Sequence, residues 1–371
     1  MLHGLVSALR WWLLGSVALS LIGGVAGGLL RVGIVLPGTD GAAWLGNATA
    51  FHAALMICGF LGTVIGIERA VAVKLRAAFL APVASGASGL CLLLGQQSAG
   101  AWLGLVAAGA FVGVNLVVVR RQWAAHTVLL LAGALAWLVG SGLFVSGIGR
   151  AAPVPWWFAF LVMTIAAERL EMTRLMRRGP EVAVSLCAVL AMMLLGAAWF
   201  VVSPAGGGLL FGLALALLSA WLVVFDVARR TVRAHGLSRY MAVSLLGGYA
   251  WLAVAGVAWM AMAFGWPARD VALHALGLGF VVSMMMGHAP VILPAIARIK
   301  LSFGGWFYAP LLVLHASLLW RLVIGSADFP ARATGAAFNA FAIALFAATI
   351  IGAALAWRLR HGPPRRTESS R

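Results

Sequence analysis

The chain has 371 residues, of which 63% are hydrophobic and only 9% charged, with a formal net charge of +17. A water-soluble globular domain of this composition would expose large apolar patches, so lipid must be its solvent. The basic excess would suggest a nucleic-acid partner in a soluble protein; here the placement of each cation explains it better, and no nucleic acid is expected.

A spanning helix needs about 20 largely apolar residues at about 1.5 Å rise each. Such stretches run almost end to end, near 11–30, 49–72, 77–96, 101–119, 125–147, 154–174, 181–202, 206–228, 240–264, 270–297, 306–325 and 333–357. The expected fold is therefore an all-α polytopic membrane bundle of about twelve transmembrane helices. Nearly all the 26 Lys and Arg residues fall in alternate connections; Arg31, Arg150, Arg269, Arg321 and Arg332 are the exceptions. Positive loops stay in the cytoplasm, so the pattern predicts an even number of spans in a bacterial inner membrane, with the N-terminus and C-terminus both cytoplasmic. No small-x-small cleavage pattern follows Arg31, and the first helix is expected to be retained. Residues 1–358 form the predicted spanning domain and 359–371 a short basic tail. Cys58, Cys91 and Cys187 all fall inside helices and form no C-x-x-C pair, so disulfides and thiolate metal sites are not expected.

A spacing recurs along the chain. The second helix has Phe60 followed eight residues on by Glu68, the sixth has Phe160 followed by Glu168, and the tenth has Phe280 followed by His288. These helices are four apart in order, which predicts three four-helix arcs about a pseudo-threefold axis. Glu68, Glu168 and Glu171 sit beside Arg69, Arg169 and Arg174, and Asp226 lies near Arg229 and Arg230; local ion pairs are expected to account for all four acids.

Ionisable groups at membrane depth cost about 2.5–3.5 kcal/mol or more at a helix centre, so each histidine there needs a reason. His52 and His274 come within the first few residues of the second and tenth helices, at the same outer level. His288 lies deeper in the tenth, at a depth shared with His315 of the eleventh. His274 and His288 are fourteen residues apart, about 21 Å along the axis, so they cannot hold one ion. Two layers of paired histidines predict two metal sites: a haem between His52 and His274, and a second haem or copper held by His288 and His315. Met56 follows His52 by four residues and Met284 precedes His288 by four, thioether positions that suit Cu(I) or simply fill gaps. Arg31, Arg269 and Arg321 lie near the outer histidine level, where they could neutralise haem propionates or snorkel to the interface. Pro290 and Pro294 follow His288 and should bend the helix beside it.

Phe51-His52-Ala53 with Met56 and Gly59-Phe60 resembles the aromatic-His-Ala…Met…Gly-Phe segment of the NnrS family of bacterial membrane proteins. His274-Ala275-Leu276 with Gly279 and Met284 resembles that family's late His-Ala-Leu…Gly…Met helix. Two helices carry the likeness; elsewhere it is one of length, span number and hydropathy. The resemblance implies twelve spans, haem (b-type) and copper as cofactors, and a small gaseous or redox ligand in a role linked to nitric oxide and denitrification. Where the family has a second His and a Glu soon after the first His, this chain has Ala54 and Leu55. A wider likeness, to subunit I of haem-copper oxidases, rests on twelve spans in three arcs and on histidines in the second and tenth helices. The sixth and seventh helices here have no histidine, so terminal oxidase activity is not implied. Two other readings stay open: a secondary transporter or metal-ion permease with a His/Met-lined path, and a cofactor-free membrane protein whose histidines bond between helices.

Overall fold

The computed structural model describes residues 2–36, 42–149, 151–173, 179–297 and 299–361, with the side chains of 2–7, 173 and 295–297 left aside. Among the described residues the chain is almost entirely helical and has no strand. The long helices are α1 Leu2–Arg31, α2 His52–Val73, α3 Arg76–Leu93, α4 Gln97–Arg121, α5 Ala125–Ser146 and α6 Pro153–Thr173. They continue as α7 Pro180–Val202, α8 Pro204–Phe225, α9 Gly236–Ala263, α10 Arg269–Ala297, α11 Gly305–Ser326 and α12 Phe329–His361. A short helix, Ala43–Ala50, leads into α2.

Eleven of these are long and apolar enough to cross a membrane. The other, α6, has sufficient length at 21 residues but carries Glu168, Arg169 and Glu171. It tolerates them because neighbouring helices cover most of its surface and little of it would face lipid. The protein is a multi-pass, all-α membrane bundle.

The expected helices are all found, each within a few residues of its predicted bounds, except that α1 and α12 run longer. Boundaries follow local chemistry. Pro153, Pro180 and Pro204 open α6, α7 and α8, where a missing N–H costs nothing. Lys74, at φ 59°, closes α2 in a left-handed turn whose N–H bonds to the Ala70 carbonyl. At Pro290 the α10 ladder loses a donor to the carbonyl of Met286, and the Tyr240 hydroxyl from α9 donates to that oxygen instead at 3.2 Å.

Packing is threefold in plan. α2, α6 and α10 touch one another at the centre. Around them the chain proceeds in order, α3–α4–α5 from α2 to α6 and α7–α8–α9 from α6 to α10. α11 and α12 then complete the circuit to α1, and this α12–α1 seam is packed more sparsely than its counterparts α4–α5 and α8–α9.

Candidate functional site

Both outer histidines precede a segment of unusual backbone. Residues Leu55–Gly62 of α2 and Ala275–Val282 of α10 are each an eight-residue π-helix, wider than an α-helix by one residue per hydrogen-bonded ring. Such segments are rare and concentrate at functional sites. The two contain Gly59-Phe60 and Gly279-Phe280, the same residues that suggested the repeat.

His52 and His274 face each other with ring centres 6.4 Å apart and planes inclined by 32°. His52 Nδ1 is 2.6 Å from the Gly24 carbonyl of α1, so Nδ1–H donates and Nε2 keeps its lone pair free. His274 Nδ1 is 3.0 Å from Asp270 Oδ1 and 3.0 Å from the Asp270 carbonyl, one turn earlier, which fixes the same tautomer. A ring N–H tied to a carbonyl or carboxylate, with the opposite nitrogen left open, is how metal-binding histidines are oriented.

Arg321 completes this arrangement. It is 6% exposed and grips Asp270 with both ends of its fork, Nε to Oδ2 at 3.0 Å and Nη2 to Oδ1 at 2.8 Å. Its Nη2 is also 3.4 Å and 3.2 Å from the two nitrogens of His274. Near-equal separations put Nη2 over the ring face rather than along the Nε2 lone pair. Arg321, expected near the propionates, is therefore committed first to Asp270.

The histidines border a cavity of about 510 Å³ that also reaches Arg31, Arg269, Arg332 and Met56. Arg31 spends Nε on the Thr49 carbonyl at 2.8 Å, and Arg332 spends Nε on the Gly325 carbonyl at 2.7 Å. Two glycines of α1 make room on the other flank. A Cβ at Gly28 would stand 2.9 Å from His52 Cε1, and one at Gly24 would stand 2.5 Å from Met56 Sδ.

The deeper pair is not formed. His288 Nδ1 donates to the Met284 carbonyl at 2.7 Å, and its Nε2 accepts from Arg169 Nη2 at 3.0 Å. His315 Nδ1 accepts from Trp251 Nε1 at 2.7 Å, and its Nε2 lies 3.1 Å from Ser283 Oγ. With both nitrogens of each ring engaged and no partner in common, His288 and His315 offer no lone pair to a metal. Their expected role as ligands gives way to hydrogen bonds between helices.

The local ion pairs expected of Glu68 and Glu168 are also missing: among the described residues neither carboxylate has a cation within salt-bridge distance. Adjacent residues on a helix diverge by about 100°, so Glu68–Arg69 and Glu168–Arg169 do not face each other. Asp270 and the π-segments escaped the sequence reading. An acid four residues before a helical histidine was the available signal for the first; the second has none in composition.

Fold and site together define a multi-pass helical membrane protein with a facing pair of anchored imidazoles beside a cavity rimmed by arginines. Residues 10–355 match a family described as a domain of unknown function (DUF8744), and the chain belongs to that family. No curated protein matches the chain.

Proposed function

We propose that this protein holds one b-type haem in the bacterial inner membrane, with His52 and His274 as its two axial ligands. The observation that carries the reading is the 6.4 Å separation of two rings whose Nδ1 atoms are both anchored. A metal–imidazole bond of about 2 Å at each end, with about 1 Å more from nitrogen to ring centre, requires about 6 Å between centres on opposite sides of one metal. A haem needs just these two donors from the protein, and the cavity falls within the usual range for small-molecule sites, about 300–1,000 Å³. Copper would need further donors beside His52 and Met56. Among the described residues no three His, Cys, Asp or Glu side chains are grouped to hold an ion.

The chain's own contribution would be orientation and charge. Gly24 and Asp270 fix the ring tautomers, Arg321 stabilises the Asp270 carboxylate, and Arg31 and Arg269 offer positive charge to propionates at the rim. When bound between two histidines, haem would supply a one-electron couple. The NnrS resemblance favours a role linked to nitric oxide and denitrification, and the distribution of Lys and Arg favours cytoplasmic termini with the site toward the periplasm.

The test is a reduced-minus-oxidised spectrum of protein purified from cells supplied with ample haem. A Soret band with one haem per chain is expected, lost in both His52→Ala and His274→Ala. Protein without any Soret band would reject the reading and return weight to a permease.

A further inference from the structure

The end of the bundle away from the His52–His274 pair holds a second polar cluster, centred on the threefold axis. Glu68 of α2, Glu168 of α6 and His288 of α10 occupy equivalent positions, each eight residues after the phenylalanine of its repeat. Glu68 lies sixteen residues beyond His52, about 24 Å along the helix. Because α2, α6 and α10 run in the same direction and touch, equal register brings the three side chains to one depth.

Glu168 lies within electrostatic reach of Glu68, Arg69, Arg169 and Glu171. Arg169, 6% exposed, turns its Nη2 to His288 and leaves Nε buried with no hydrogen-bond partner. Asp226, just past α8, and Tyr249 of α9 adjoin Arg169 from the other side. Asp226 is 1% exposed and Tyr249 fully buried, and the Tyr249 hydroxyl is directed at the Asp226 carboxylate. Arg69 Nε, like Arg169 Nε, is buried with no hydrogen-bond partner among the described residues. From α5, His126 Nε2 stands 3.9 Å from Glu171 Oε1.

Two half-buried carboxyls on touching helices, in mutual electrostatic reach and, among the described residues, without a cation at salt-bridge distance, repel each other if both ionise. One proton between them removes that repulsion. Arg69 and Arg169 lie within electrostatic reach and offset part of it, but Arg169 turns its Nη2 to His288 rather than to either carboxylate. A purely structural network would pair its charges; among the described residues this one leaves the Nε donors of Arg69 and Arg169 open beside a carboxyl pair, which suits a group that gains and loses protons.

We propose that Glu68 and Glu168 form a proton-binding site on the central axis of the bundle, flanked by Arg169 and His288 and exchanging with water at that end of the protein. The proton comes from bulk water and returns to it, and no other bond changes. The inference does not depend on haem at the far site.

Infrared spectroscopy of the full-length protein in lipid nanodiscs at neutral pH tests it. The expected result is a carbonyl stretching band of a protonated carboxyl that shifts on exchange into deuterium oxide. Glu68→Gln and Glu168→Gln should each remove that band, whereas Asp226→Asn should keep it. Glu168→Asp, which retains the acid, should keep a displaced band and covers the case in which the Gln variant fails to fold. A spectrum without such a band at neutral pH, a band that survives both Gln substitutions, or one lost only in Asp226→Asn would overturn the proposal.

Discussion

His52 and His274 stand 6.4 Å apart, centre to centre, at the starts of two π-helical segments that belong to different arcs of the bundle. Neither ring could be moved by one residue without turning about 100° from the other. If both ligate one haem, His52→Ala and His274→Ala should each lower haem retained through purification by at least tenfold. His52→Met should instead retain haem with altered absorption and a raised reduction potential, because thioether ligation favours the reduced state. Haem content by the pyridine haemochrome assay and a redox titration distinguish the two outcomes.

Asp270 serves His274 and Arg321 at once, so its loss should do two things. Asp270→Asn weakens the acceptor that orients His274, and affinity for the metal group should fall about 10–100-fold. It also leaves Arg321 buried without a counter-charge, which costs several times more than the net worth of the pair. Arg321→Gln in the same background should then restore part of the lost thermal stability without restoring affinity. Thermal unfolding in detergent alongside haem titration separates the effects.

The glycines of α1 make a steric prediction. Gly28→Val should displace the His52 ring, since even a Cβ at this position would stand 2.9 Å from Cε1. Haem binding should drop while the protein stays folded, because the ring can swing toward the cavity. Gly46→Ala, in the short helix before α2 with nothing within 4 Å of its added carbon, should bind as the parent does. Comparing the two variants in one haem-binding assay isolates the contact with His52.

Most of the fold was legible because lipid imposes a simple rule: long apolar stretches become helices, and glycines and phenylalanines at fixed offsets mark equivalent positions. The closeness of His52 and His274 was legible because helices 2 and 10 occupy equivalent central places in the repeat and carry their histidines at one depth. The pairing of His288 with His315 failed because depth does not specify direction. Trp251 of α9 and Arg169 of α6 reach those rings first. Glu68 and Glu168 were misread through chain proximity: Arg69 and Arg169 lie within electrostatic reach, but adjacent side chains on a helix diverge and form no salt bridge. Arg321 lost its expected place to Asp270, whose own importance shows only once α10 and α11 are side by side.

Burial pushes the Asp226 carboxyl above its ordinary range, against the pull of Arg169 and of the Ala228 N–H that donates to Oδ1 at 2.7 Å. A carboxyl raised in this way binds its proton more tightly in the folded state than in the unfolded one. Its ionisation therefore subtracts stability as pH climbs from the usual carboxylate range through the folded value. Asp226→Asn keeps the acceptor for Ala228 and removes the ionisation. It should melt at a higher temperature than the parent at neutral pH, with the difference closing as pH falls toward 4, near the ordinary carboxylate value. Equal melting temperatures across that range would show that Arg169 fully offsets the burial.

Tyr240 and Pro290 offer a test of how the interrupted tenth helix is held. Proline at 290 leaves the Met286 carbonyl without its helical donor, and the Tyr240 hydroxyl, fully buried, takes that place at 3.2 Å. Tyr240→Phe strands the oxygen in an apolar setting and should cost about 1–3 kcal/mol. Pro290→Ala supplies an N–H from α10 itself, so the hydroxyl becomes dispensable. Tyr240→Phe should accordingly cost much less in the Pro290→Ala background than in the parent. A thermal-stability double-mutant cycle measures the coupling, and strictly additive losses would mean that the carbonyl finds another donor when Tyr240 is gone.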